Sequence, residues 1–338
     1  MGRRVQSIFE NSTQWQGYDV FKEQKDSTLM SSKSAVEELA NRYMTLIASG
    51  GKPVKDLDEE PARILFAEMT ELALWGNATD LSLLHNLSLE DIQKLQGKKS
   101  IEESQKSIVD NDTDTVWNYL RLQSCSSSQQ TDKRVDIVLD NAGFELFADI
   151  LYAGYLLEAR LASRVVLHAK CFPWFVSDAL PADLDSLLEC LESYKNFDNR
   201  KDLDRLTPLL RNLIDSGTLS LRTHPFWTSP ASFHELPAEA PDLFKTLQES
   251  HLTIWKGDLN YRKLTRDGLW PHTTPFKEAL GPMGSGSGIR VLALRTNKSD
   301  TCVGLESEER VRRLDEEAPS KAWVRNGKYS VVSYSDGQ

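Results

Sequence analysis

Cysteine is scarce in this chain. The four, Cys125, Cys171, Cys190 and Cys302, include no pair at C-x-x-C spacing. Neither a zinc knuckle nor a dithiol redox pair is indicated, and reduced, unpaired thiols point to a cytosolic (cytoplasmic) or nuclear protein. Positive charge is also short: 40 Lys and Arg stand against 50 Asp and Glu, a formal net charge of -10. Phosphate backbones select basic surfaces, so nucleic acid is not expected as a partner. No apolar run approaches the ~20 residues that span a bilayer, so no membrane partner is expected. Met1-Gly-Arg-Arg-Val5 begins basic but has no apolar core behind it, and is not read as a secretory signal. The histidines show no ligand spacing, and His168 alternates within a strand as a core residue would. No protein partner follows from these features.

What remains is an ordinary globular composition, 40% hydrophobic and 27% charged over 338 residues. That length suits one large domain or two of moderate size, with a substantial core. Residues 1–123 read as a helical N-terminal region. Ser34–Ile47 carries apolar residues at helical spacing, and Pro61–Trp75 repeats the pattern with proline at its start. Ser88-Leu-Glu-Asp91 is a candidate capping box, and Asp114–Leu122 is a further short helix. Residues 124–134, polar and low in complexity from Ser124 to Thr131, read as a linker loop.

Residues 135–338 then alternate between strands and helices. Val135–Leu139, Arg164–Ala169, Thr218–Thr223, Leu252–Trp255 and Gly288–Arg295 read as strands, with Lys328–Tyr334 as a final edge strand. Phe144–Ser163, Leu184–Tyr194 and Pro241–Ser250 read as helices. The pattern predicts an α/β fold: a mostly parallel sheet with helices on both faces, a Rossmann-like three-layer sandwich preceded by the helical region. The Gly284-Ser-Gly-Ser-Gly288 run lacks the Lys-Ser/Thr ending of a P-loop and precedes a strand, so it reads as a flexible surface loop.

Four polar groups stand just after, or at the end of, these strands. Asp140-Asn141 follows the first, Lys170 to Asp178 the second, and Lys256-Gly-Asp-Leu-Asn-Tyr-Arg-Lys263 the fourth. Arg295-Thr296-Asn297-Lys298 ends the fifth. Parallel strands would bring all four to one edge of the sheet, where open α/β folds bind ligands. Taken singly, each has a plainer reading: an Asx turn for Asp140-Asn141, helix caps for Asp178 and Asp258, a solvated strand end for the last. Taken together they offer hard oxygen ligands without imidazole or thiolate, which suit Mg²⁺, Mn²⁺ and similar ions. Lysines and arginine around such an ion are what a phosphate ester needs. A haloacid-type phosphatase would carry Asp-x-Asp after its first strand, and here Ala142 takes the second position. The methyltransferase glycine-rich turn is approximated by one glycine, Gly143. The Gly-x-Gly-x-x-Gly of a dehydrogenase is absent.

The same stretches resemble one family, the metal-dependent damage-control phosphatases, whose eukaryotic subgroup also carries the description acidic-residue, or protein-glutamate, methyltransferase. The resemblance rests on Leu139-Asp-Asn-Ala-Gly-Phe-Glu-Leu-Phe147, Lys170-x-x-Pro-Trp-Phe-Val-Ser-Asp178, Lys256-Gly-Asp-Leu-Asn-Tyr-Arg-Lys-Leu264 and Leu294-Arg-Thr-Asn-Lys298, the last matching the Arg-Thr-x-Lys motif of the subgroup. It implies a divalent ion (Mn²⁺, Co²⁺, Ni²⁺ or Mg²⁺) on Asp140, Asn141 and Asp178. It implies substrate contacts from Asp140, Asn141, Glu145, Asp258, Leu259, Asn260, Tyr261, Arg262 and Lys298. Asp258 would orient substrate hydroxyls or water, and Lys298 would grip the phosphate. The implied activity is hydrolysis of small sugar phosphates such as fructose 1-phosphate and fructose 6-phosphate in metabolite damage control. An S-adenosylmethionine-dependent protein-glutamate methyltransferase is the alternative. The family pattern also implies a longer helical stretch before the Asp-Asn motif, so an incomplete helical cap is expected here.

Overall fold

A computed structural model describes residues 2–48, 53–76, 105–126 and 132–338. Seven strands form one sheet: β1 (Ile108–Asn111), β2 (Arg134–Val138), β3 (Arg164–Ala169), β4 (Leu219–Thr223), β5 (Leu252–Lys256), β6 (Val291–Thr296) and β7 (Ser330–Ser335). Their spatial order is β1-β7-β6-β5-β2-β3-β4. Every neighbouring pair is parallel except β6 and β7. The expected α/β architecture is therefore present.

Period-two alternation splits the core into two layers. Val135 and Ile137 of β2, Leu252 and Ile254 of β5, and Leu292 and Leu294 of β6 face the layer that holds the N-terminal helices. Val138, Trp255, Val291 and Ala293 face the other layer, with Trp227, Phe233 and Tyr261. The helix Phe144–Glu158 is buried from Phe144 through Leu156. A helix that is apolar nearly all round needs cover on every side, and the helices Lys33–Ala48 and Glu59–Trp75 supply it beyond the sheet. The helix Lys22–Ser31 lies over the turn after β2: a Cβ on Gly143 would stand 3.9 Å from Lys25 O and Leu29 N.

Some expectations needed correction. The final strand is not an edge. β7 sits between β6 and β1, because Ile108–Asn111, within the region read as helical, forms the true edge. A four-residue strand whose inner residues are Val and Asp offers almost no alternation to detect. The helix Leu203–Asp215 carries Pro208 inside it, and that proline hid it from the sequence reading. The glycine-serine run is not free: Ser287 is buried with its hydroxyl on Met283 O at 3.1 Å, and Gly288 N donates to Gly337 O at 3.0 Å. The Ser88–Asp91 capping box and residues 127–131 lie outside the described residues. His168 is the satisfied core histidine expected, 2.7 Å from Asp136 Oδ1.

Asp110 at the β1 edge makes a test of the packing. Its carboxylate accepts a hydrogen bond from the Ser333 hydroxyl. Burial pushes its pKa from 3.8 up to about 7, with the charge of Asp112 adding and the Ser333 bond opposing. The folded protein thus holds this proton more tightly than the unfolded chain, so stability falls as pH rises through that interval. Asp110→Asn is expected to remove this slope. Urea denaturation should find the variant more stable than the wild type by a few kcal/mol near pH ~8, and not near pH ~4.

Candidate active site at the sheet switch point

The chain leaves β2 toward β3 and β4, then returns to place β5 and β6 on the opposite side. The reversal opens a crevice beyond the carboxyl ends of β2 and β5, where open sheets bind ligands. Asp140 follows β2 there, and Gly257-Asp258 follows β5.

Gly257 explains how closely the two segments approach. Its φ is +84°, and a Cβ at this position would lie 2.0 Å from Asp140 Oδ2. Asn260 fixes the same junction. Its amide donates to Lys256 O at 2.7 Å and to Leu139 O at 3.2 Å, tying the β5 helix to the end of β2. Asp178 arrives from the β3 side. Ala179 N donates to Asp140 O at 2.9 Å and Ala142 N to Ser177 O at 2.8 Å, so Asn141 and Asp178 pair as an isolated antiparallel bridge. The three residues expected to hold a metal are thereby brought together.

Their side chains form a charged cluster with little access to water. Asn141 Nδ2 donates to Asp140 Oδ2 at 2.9 Å and to Glu145 Oε2 at 2.7 Å. Its carbonyl oxygen accepts from Ser177 Oγ at 2.6 Å. Asp178 Oδ2 accepts from Phe175 N at 2.7 Å. Lys170, which donates to Leu139 O at 3.0 Å, stands 4.0 Å from Asp178 Oδ1. On the other side, Lys256 donates to Asp149 Oδ1 at 2.6 Å and reaches Glu145 Oε1 at 3.4 Å. Burial raises the carboxyls of Asp140 and Asp178. For Asp140 the charges of Glu145 and Asp178 add to burial and carry it to about 8 against the pull of Lys170 and Lys256.

That excess of carboxylate is the observation that bears on a metal. Among the described residues Asp140 Oδ1 accepts no hydrogen bond, and the hard-oxygen set of Asp140, Asn141 and Asp178 suits an octahedral divalent ion. A cation between buried like charges would relieve their repulsion. Among the described residues no group of three or more His, Cys, Asp or Glu is arranged to hold a metal ion by itself. The set is two aspartates completed by an asparagine.

The Arg-Thr-x-Lys segment divides in two. Arg295 is fully buried. It donates to Asp258 Oδ1 at 2.8 Å, to Thr301 O at 2.6 Å and to Ser299 Oγ at 2.8 Å, and lies over the Tyr261 ring. Thr296 is buried in β6, and Asn297 is buried with its amide 3.4 Å from Trp323 O. These residues hold the loop from which Lys298 projects into solvent. Asp258 Oδ1 also receives Lys298 N at 3.2 Å and Ser299 Oγ at 3.0 Å. Its second oxygen accepts no hydrogen bond among the described residues and is left for a ligand.

Several residues expected to touch substrate turn inward instead. Asn260 is bound up with main-chain carbonyls. Tyr261 is buried, its hydroxyl accepting from Val303 N at 3.1 Å and its ring stacked on Phe276. Glu145 lies behind Asp140 and Asn141, held by Asn141 and Lys256. Arg262 does not turn inward: it stays partly exposed and pairs with Asp267 through both carboxylate oxygens, at 2.9 Å and 2.6 Å. A helix of eight residues can present only one face to a crevice, so a motif read as one run sends alternate side chains elsewhere. The sequence reading left out Lys170 and Lys256 as site residues. A lysine ending a fully buried strand, as Lys256 does, was the available signal.

Comparison with known proteins shows the family. Residues 1–314 match the family model described as the damage-control phosphatase ARMT1-like domain. Damage-control phosphatase ARMT1 of Danio rerio is 35% identical over 99% of this chain and 71% of its own length. The Homo sapiens protein of that name is 34% identical over 99% of this chain and 72% of its own. A solved DUF89 family protein from Pyrococcus horikoshii is 16% identical, covering 91% of this chain and 75% of that one at a TM-score of 0.42. With the family model covering the N-terminal helices, six of the seven strands and the strand-end cluster, this chain belongs to the damage-control phosphatase ARMT1-like family.

Proposed function

We propose that this damage-control phosphatase is a divalent-metal-dependent phosphomonoesterase that acts on small sugar phosphates of the fructose 1-phosphate and fructose 6-phosphate type. The observation that carries the reading is the convergence of Asp140, Asn141 and Asp178 at the switch point, with Lys170 and Lys256 beside them. Asp140, Asn141 and Asp178 would hold the ion. When bound, it would polarise the phosphoryl group and lower the pKa of a bound water.

The protein's own residues support the rest. Lys298, an exposed lysine whose amide is pinned to Asp258, presents a mobile cation to the non-bridging phosphate oxygens. Asp258 offers its free oxygen to a substrate hydroxyl or to the attacking water. Burial of Arg295 keeps Asp258 and the Lys298 loop in register, so the site is preorganised before substrate arrives. The turn after β2 carries a single glycine and a cluster of carboxylates, which suits phosphate esters with a metal better than the methyltransferase alternative.

The test is a screen of sugar phosphates with Mn²⁺, Co²⁺, Ni²⁺ and Mg²⁺ supplied separately. Phosphate release from fructose 1-phosphate is expected with at least one ion and is expected to vanish on chelation. Release unaffected by chelator would sink the metal assignment, and no release from any ester would sink the activity. Within the same assay, Lys298→Ala is expected to raise KM on the order of 10-fold to 100-fold, since charged contacts to phosphate contribute ~1.5–3 kcal/mol. An unchanged KM would remove Lys298 from the site.

A further inference from the structure

A pocket of 270 Å³ lies beside the segments that carry this centre. Trp174, Phe175 and Leu259 form its apolar wall, and Ser232, Lys263, Arg266 and the Arg262–Asp267 ion pair supply its polar side. It is continuous with the catalytic segments by construction. Phe175 donates its amide to Asp178, and Leu259 follows Asp258 directly. Phe175 is 53% exposed, a large aromatic side chain left in solvent beside a charged centre.

Lys263 is the unusual member. It is half-buried, and its ammonium lies 4.8 Å from the Phe233 ring centre. Among the described residues its one hydrogen bond goes to Ser229 O at 3.1 Å, and it makes no ion pair. Desolvated charges in proteins are normally paired. Burial pushes its pKa down to about 8, the charge of Lys170 adds to that effect, and Asp178 opposes it. Glu235 and Glu239 also oppose the shift, yet none of these carboxylates pairs directly with the ammonium. Arg266 adds a third cation, 67% exposed and only 4.0 Å from Glu235.

The position of this positive side matters. Lys298 follows β6, whereas Lys170 and Asp178 follow β3, and β5 and β2 lie between. Three strand spacings separate them, roughly 14 Å. Positive charge therefore flanks the Asp140 centre on both sides, with an aromatic wall along one of them.

We propose that this pocket is a second-anion subsite, in which Lys263 binds the far negative group of a doubly anionic phosphate ester while the scissile phosphate lies at the Asp140 centre. The substrate class is a small sugar carrying a second phosphate or a carboxylate, its carbon face set against Trp174 and Phe175. This rests on the phosphatase reading for the first site, and it makes Lys263 a specificity-determining residue.

Fructose 1-phosphate and fructose 1,6-bisphosphate are the probes, each assayed for kcat/KM with Mn²⁺ and for binding by thermal shift. The wild type is expected to favour the bisphosphate by about tenfold or more in kcat/KM, as one charge-assisted contact allows. Lys263→Met is expected to lower that preference about tenfold, and Lys263→Arg to keep it. Equal handling of the two esters by the wild type overturns the proposal, without recourse to any variant. So does an equal loss for both esters in Lys263→Met, which would mark a grip on the scissile phosphate or a structural role. If the wild type hydrolyses neither ester yet binds the bisphosphate through Lys263, the phosphatase reading falls and the subsite stands. If it hydrolyses the monophosphate and ignores the second phosphate, the subsite falls and the activity stands.

Discussion

Asp140→Ala is expected to lower kcat/KM for fructose 1-phosphate by on the order of 1,000-fold or more, with circular dichroism unchanged. The size follows from what the carboxylate does. It is the residue nearest the middle of the cluster, and removing it takes away one of the proposed metal ligands together with the acceptor for Asn141 Nδ2. Losing a preorganised electrostatic contact costs ~100-fold to ~1,000-fold, and loss of the ion adds to that. The fold should survive, because Asp140 sits among Glu145 and Asp178 and its removal relieves like-charge crowding. A steady-state phosphate-release assay with Mn²⁺ checks this. Activity within about tenfold of the wild type would move the site elsewhere.

Gly257→Ala is expected to combine a stability loss with an activity loss. Two independent constraints meet at this residue. Its φ of +84° is strained for any residue with a side chain, and the new Cβ would lie 2.0 Å from Asp140 Oδ2 and 2.4 Å from its Cγ. Asp140 cannot simply swing away, because its backbone is locked by Ala179 N and its neighbour Asn141 by the bridge to Asp178. The helix after β5 must shift instead, carrying Asp258 with it. A loss of about 3 kcal/mol or more by urea denaturation is expected. A displacement of about 1 Å at the ligands should lower kcat/KM on the order of 100-fold. A variant as stable as the wild type would show that β2 and β5 do not approach as closely as described.

The sequence made the sheet legible where strands were long, buried and followed by a helix. β3 and β4 lie within the runs that predicted them and β2, β5 and β6 overrun theirs by one residue; all but the edge strand β4 are central strands covered on both faces. β1 escaped, and with it the interior position of β7, since four residues at an edge carry no periodic signal. At the site, Asp140 and Asn141 could be picked out because polar groups ending an apolar strand conflict with their surroundings, whereas the role of Asp178 came from the family resemblance. What could not be read was direction. Arg295 and Lys298 stand three residues apart in one motif, yet one is fully buried and the other projects outward. Asn260 and Arg262 diverge likewise within one helix. For Arg295 and its neighbours the choice depends on Tyr261 of the β5 motif and on Trp323, which meet the β6 motif only in the folded protein. Lys263 closes one of the four polar groups, but its own role is not legible there for the same reason. Its lack of a carboxylate partner is a property of its neighbours and not of its own place in the chain.

The most direct test of the central claim is anomalous diffraction from crystals of the protein soaked in Mn²⁺. The account predicts a single strong peak at the switch point, at bonding distance from carboxylate oxygens of both Asp140 and Asp178 and from the Asn141 carbonyl oxygen, and its loss in Asp140→Ala. A peak bound elsewhere, or none in crystals of a preparation whose activity depends on Mn²⁺, would contradict it.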